Sequence, residues 1–215
     1  MPAKVGRTKP IQKLIDKGRD SKCPFEAERV LDRALAMSHA RRDFAGMVEI
    51  LELLADARAA RRKLALASRA AIRIVDDVVT DTMDIEKGRY LVQPPLVGAD
   101  ARRLRLLALA RETPVMVVCR EPTAQTGEIP VVAIGPQGSI RTKVAGHDKP
   151  NKPSAAWFRG ALQSLGEESI LRLDPKHTAD RRLDLVLDLI DTLPEDTSLH
   201  QTAIELCRQA DADDC

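Results

Sequence analysis

The sequence predicts a mixed α+β or α/β protein: an N-terminal helical bundle or hairpin array, then a small mixed-sheet βαβ-hairpin unit with C-terminal helices. Three observations carry this reading. Apolar residues recur at helical spacing through the front of the chain; the stretch from Arg89 to Val144 instead holds short β-branched runs punctuated by Pro and Gly; and beyond Ser154 the helical spacing returns. The expected division is a helical region over 1-88 and a small α/β domain with C-terminal helices over 89-215.

Residues 1-9 carry Lys4, Arg7 and Lys9 among Gly and Pro and read as a loose tail. Ile11, Leu14 and Ile15 then predict one or two helical turns closing at Gly18. Pro24 suits the first turn of a helix, where its missing N–H is no loss, and Ala27, Val30, Leu31, Ala34 and Leu35 follow at i, i+3, i+4, i+7, i+8. From Asp43 to Thr80 there is no proline and only Gly46, so helix is expected almost throughout. Phe44, Met47, Val48, Leu51, Leu54 and Ala55 form one stripe; Leu64, Ala67, Ala71, Val75 and Val78 form a second. A single rod would be about 57 Å long at about 1.5 Å per residue, well beyond the usual helix, so a break near Ala57 to Arg62 is expected.

In the central stretch, Tyr90 to Gln93 reads as a short strand stopped by Pro94-Pro95. Asp100 is placed to cap a helix whose Leu104, Leu107, Ala108 and Ala110 share a face, and Thr113-Pro114 ends it. Val115 to Cys119 is too short for a helix and reads as a buried strand, completing a βαβ unit. Ile129 to Ile134 and Ser139 to Val144 flank Gly135-Pro136-Gln137-Gly138 and read as a hairpin whose second strand alternates apolar and polar. A sheet of about four strands is expected. Ser154 caps a helix carrying Trp157, Phe158, Ala161, Leu162 and Leu165 and ending at Gly166; Thr178 starts another; Pro194-Glu195-Asp196 breaks the chain; and Thr197 or Ser198 begins the last helix, which frays from Asp211.

Hydrophobic content of 44% and charged content of 31% place the chain among folded rather than disordered proteins. The net charge is only +2, but residues 1-75 carry 17 Lys and Arg against 9 Asp and Glu, while residues 177-215 carry 3 against 10. The basic front and acidic tail either complement each other, within the fold or across a dimer, or offer a basic surface to an anionic partner. Cys23, Cys119, Cys207 and Cys215 have no paired spacing, so neither a disulfide framework nor a zinc knuckle is expected. Met1 to Phe25 has no apolar core segment and no run approaches 18 apolar residues; a cytoplasmic protein without membrane association is the expectation.

Two basic clusters are candidate contacts for anions or nucleic acid. In the front half, Arg61, Arg62 and Arg69 stand in a tract with Arg58, Lys63 and Arg73; in the back half, Arg141, Lys143, Lys149 and Lys152 gather with His147 along the hairpin and its following loop. The plainer readings are ion pairs between helical turns for the first and a charged sheet edge for the second. Aromatic content of 2% provides no stacking platform for bases, and the closing helix pair, though spaced like a helix-turn-helix, is acidic.

Asp77, Asp81 and Asp84 would share one side of a continuing helix, as a magnesium site requires, and Cys119 with Arg120 at a strand end would form a nucleophile if His147 lay beside it. The plainer readings are a helix end and a buried thiol. Gly98-Ala99-Asp100 lacks the GxGxxG spacing and no Walker lysine follows, so no cofactor, metal or catalytic residue is expected. His39, His147, His177 and His200 have no ligand spacing. These observations favour an intracellular non-enzymatic interaction or scaffold protein that binds protein partners or a second copy of itself. Alternatives are a nucleic-acid-associated protein using the basic front half and a small enzyme with its site at the end of the 115-119 strand.

Overall fold

The computed structural model describes residues 8-67, 71-122, 127-146 and 152-213, which form seven helices and a five-stranded mixed sheet. Chain order runs α1 (Lys9–Asp20), α2 (Pro24–His39), α3 (Phe44–Leu66), β1 (Arg73–Val75), β2 (Gly88–Val92), α4 (Gly98–Ala110), β3 (Val115–Arg120), β4 (Glu128–Ile134), β5 (Ser139–Ala145), α5 (Ala155–Leu171), α6 (Ala179–Thr192) and α7 (Thr197–Asp213). Two compact units emerge. One comprises Met1–Ala60, Leu173–Leu187 and Thr197–Cys215; the other comprises Arg61–Arg172 and Asp188–Asp196. Among the described residues no helix is long and apolar enough to cross a membrane, and Cys119 and Cys207 are buried free thiols.

In the helical unit, Ile11 and Ile15 of α1 meet Leu31 and Ala34 of α2 and Ile50 and Leu54 of α3 in one cluster with no exposed surface. Each fully buried Leu or Ile contributes about 1.5–3 kcal/mol of transfer free energy, which is why the stripes of α1, α2 and the first part of α3 read correctly from sequence. The second expected stripe does not hold, since Leu64 is 47% exposed and Ala67 is exposed as well. Pro24 opens α2 as expected. Gly18 lies inside α1 rather than at its end, and is needed for space: a Cβ there would come within 2.6 Å of Leu31 Cγ.

The sheet has the order β1-β2-β3-β4-β5, with β1, β2 and β3 parallel and β4 and β5 antiparallel. β2, α4 and β3 form the expected βαβ unit, and β4 and β5 the expected hairpin. On one face, Tyr90, Val92, Val115 and Cys119 cover Leu104 and Ala108 of α4; Phe158, Ala161 and Leu165 of α5 are buried as well.

Further expectations are corrected. The helix expected to continue towards Thr80 ends at Leu66, with no break near Ala57 to Arg62, and Arg73-Ile74-Val75 forms a fifth strand paired in parallel with Tyr90-Leu91-Val92. Ala71, Val75 and Val78 continue a helical phase by coincidence; pairing buries Val75 and leaves Val78 66% exposed. Residues 76-87 then cross to β2 without a helix, anchored by buried Val79 and Ile85. Asp100 acts from the third position of α4, not its cap: the Val97 N–H donates to Asp100 Oδ2 at 2.8 Å. Lastly, α5 runs past Gly166 to Leu171, and α7 stays helical to Asp213.

Candidate functional site

The site that emerges is a cleft where β3 and β4 part. Their ladder joins only Cys119 with Val132 and Arg120 with Val131. At one end the Glu121 N–H donates to the Pro130 carbonyl at 2.9 Å, but Pro130 has no N–H to return. At the other end the strands separate, leaving about 30 Å³ between Arg102 and Arg105 of α4, Val117 and Cys119 of β3, Ile134 of β4 and Leu162 of α5. That holds a few waters, far below the several hundred Å³ of an ordinary ligand pocket.

The turn after α6 completes the lining with Thr192, Leu193 and Glu195. Arg105 donates to the carbonyls of Thr192 and, at 3.1 Å, Asp191, supplying a cation where the end of α6 leaves its carbonyls unpaired. Arg61, 4% exposed, donates through Nη2 to Glu195 Oε1 at 2.7 Å, and Arg62 Nη1 donates to the Glu195 carbonyl at 3.2 Å. Two glycines let the turn approach. A Cβ on Gly135 would overlap Thr192 Oγ1, and one on Gly166 would overlap the Asp196 carboxylate. Sequence reasoning missed this arrangement; its only traces were the Pro194 break and the acids around it.

Cys119 faces the cleft but is 1% exposed. Burial, and then the charges of Glu121 and Asp100, push its thiol up to about 12, so at neutral pH it is a thiol and not a thiolate. His147 lies outside the described residues.

A chain of hydrogen bonds crosses the carboxyl ends of the parallel strands, where α/β proteins commonly bind ligands. Gln93 Nε2 donates to Asp76 Oδ2 at 3.3 Å, and Arg120 Nη2 donates to Gln93 Oε1 at 2.7 Å. Gln93 is buried and both ends of its amide are occupied, so the chain ties strand ends together.

The two predicted basic clusters have different fates. Arg61 and Arg62 turn to Glu195, while Arg58, in the helical unit, is buried against Glu28 at 2.9 Å and Asp32 at 3.0 Å. Arg73 pairs with Glu86 and lies 5.5 Å from the Tyr90 ring centroid. Arg69 and Lys149 lie outside the described residues. Arg141 pairs with Glu121 at 3.2 Å, Lys143 stands 3.7 Å from Glu128, and Lys152 is exposed.

Arg141 and Lys143 sit on the free edge of the sheet. The Gly135 N–H to Gly138 carbonyl and Gly146 N–H to Gly127 carbonyl bonds fix the alternation, so Ser139, Arg141, Lys143 and Ala145 turn their backbone groups away from β4. Arg172 covers the carbonyls of Ser139 at 2.8 Å and Arg141 at 3.4 Å, and Trp157 Nε1 covers that of Ala145 at 2.9 Å. Side chains thus close an edge that would otherwise invite another strand.

Asp77, Asp81 and Asp84 lie in the crossover and not on a helix, so the expected carboxylate face does not form; Asp81 pairs with Arg103 at 3.0 Å. Among the described residues no group of three or more His, Cys, Asp or Glu side chains is placed to hold a metal ion. No protein-family model matches the sequence, and neither curated proteins nor solved structures give a match.

Proposed function

We propose that this is an intracellular non-enzymatic interaction protein, acting in the cytoplasm by binding protein partners or a second copy of itself. One observation supports this above the others. In the sheet unit Arg61 is bonded to Glu195, Gln93 to Asp76 and Arg120 to Gln93, whereas large apolar side chains stand in solvent on the outer side of α4, with Leu106 43% and Leu109 37% exposed, and Val97, just before the helix, is 56% exposed. Ala99, Arg103 and Ala110 share that outer side. Small and apolar residues beside an arginine are suited to a helix face that meets another protein, and an exposed apolar group of this kind is otherwise a liability in water.

The test is site-specific photo-crosslinking in cells. A photoreactive residue in place of Leu106 is expected to give a discrete product of higher mass, whether with another protein or with a second copy. The same residue in place of Lys143, on the closed sheet edge, is expected to give none. Equal labelling at both positions, or a product at 143 alone, would overturn the reading.

A further inference from the structure

We propose that the cleft between α4, the parted strands β3 and β4, and α5 is a receptor for an acidic, turn-forming peptide segment, and that residues 191-196 fill it in cis as a displaceable ligand. The proposal concerns the cleft-lining residues of α4, Arg102 and Arg105, and does not use the exposed Leu106 and Leu109 discussed above.

The occupant is Asp191-Thr192-Leu193-Pro194-Glu195-Asp196. It offers three acids, one apolar anchor in Leu193, 8% exposed, and a proline whose fixed φ favours a turn. The receptor lines Leu193 and holds one of the acids, Glu195, together with main-chain carbonyls of the segment. Arg105 holds the two main-chain carbonyls at the head of the turn, Arg61 the Glu195 carboxylate, and Arg62 the Glu195 carbonyl. All of these bonds are charge-assisted, and clustered arginines are a recurring means of recognising acidic segments.

The surfaces that meet are shaped for a close fit, since Gly135 and Gly166 stand where any larger residue would collide with Thr192 and Asp196. The segment groups with the sheet unit, from Asp188 to Asp196, although the chain on both sides of it, up to Leu187 and from Thr197, belongs to the helical unit. Beside it the cleft is incompletely filled, and Arg102 keeps a buried Nε without a hydrogen-bond partner among the described residues. A partner carrying an apolar residue followed by proline and an acid would therefore satisfy the same donors.

A segment tethered at both ends has an effective concentration in the millimolar range or above, so a free peptide meets an occupied site. The probe is a fluorescein-labelled peptide of residues 188-196, titrated into the full-length chain and followed by anisotropy. Wild type is expected to show no saturable binding below about 1 mM. The double variant Leu193→Ser with Glu195→Ala, which loosens the cis turn, is expected to bind at least about tenfold more tightly, because the competent state becomes populated. Adding Arg105→Ala is expected to remove that gain. A folded double variant with no gain, or a gain indifferent to Arg105→Ala, would overturn the proposal. If the double variant does not fold, Glu195→Gln is titrated instead with the same two outcomes. Failure of that variant to fold would also overturn it, because a turn that cannot be loosened is core and not ligand.

Discussion

Arg58 and Arg61 lie one helical turn apart on α3, and both are almost wholly buried, at 3% and 4% exposed, yet the two units use them differently. In the helical unit Arg58 is the centre of a network. Its Nε donates to Glu28, its Nη2 to Asp32, and its Nη1 to His200 Nε2 at 3.4 Å, so α2, α3 and α7 contribute to one buried polar cluster. In the sheet unit Arg61 is one of three arginines holding a single turn of chain. Arg58 fixes how helices pair inside an apolar core, whereas Arg61 holds Glu195 of the turn that lines the gap the sheet leaves between β3 and β4. An arginine tract in sequence is thus no guide to surface charge: what decides is which carboxylates the fold brings to it.

The largest effect should come from breaking the helical network. Arg58→Ala strands the buried Glu28 carboxylate and is expected to cost about 3–5 kcal/mol in urea unfolding. Replacing the pair together, Arg58→Met with Glu28→Leu, is expected to recover most of that, because two apolar side chains remove the stranded charge. In the sheet unit, Arg61→Ala is expected to cost less, about 1–3 kcal/mol, since Glu195 sits at a turn that can open towards water. A loss at Arg61 equal to that at Arg58 would erase the distinction between the two.

The glycine platform comes next. Gly135→Ala must push Thr192 aside and is expected to destabilise by about 1–3 kcal/mol, while Gly138→Ala, with nothing within 4 Å of the added carbon, should stay within about 0.5 kcal/mol. Equal effects would mean that the turn does not press on the end of β4.

Alkali should act on both units. Burial holds the thiols of Cys119 in the sheet and Cys207 in α7 up at about 12, against an ordinary 9.0, and burial likewise raises the Tyr90 phenol. Above pH 9 the unfolded chain releases the two thiol protons and the folded chain keeps them. Their contribution is therefore intact below about pH 9 and is lost as pH rises towards 12, by about 1 kcal/mol per thiol at pH 10. Chemical unfolding midpoints from pH 7 to 10.5 check this, and the serine variants of both cysteines should flatten the slope.

The smallest effect expected is at the sheet edge. Arg172→Ala returns the Ser139 and Arg141 carbonyls to water and should cost at most about 1 kcal/mol in urea unfolding. A larger loss would make Arg172 a structural post and not a cover.

What could be read in advance follows from the range of the interactions involved. Stripes such as Ile11 to Ile15 and Ala27 to Leu35, the βαβ unit and the β4–β5 hairpin depend on neighbours a few residues apart, and they appear where the spacing put them. β1 was not legible, because Val75 happens to continue a helical phase with Ala71 and Val78, and Arg73-Ile74-Val75 becomes a strand only through Tyr90, Leu91 and Val92. The cleft was still less so. Arg61 and Glu195 are 134 positions apart, and nothing near either one announces the other. Arg58 likewise pairs with Glu28 thirty positions away, so the nearby acids weighed in its sequence neighbourhood were not its main partners.

The account turns on Arg61, Arg62, Arg141 and Lys143 being engaged by the protein's own acids and carbonyls, leaving apolar residues to meet a partner. Titrating generic duplex DNA at low ionic strength tests this most directly: no saturable binding is expected. An affinity that falls steeply with added salt, and that Arg141→Glu with Lys143→Glu abolishes, would contradict it.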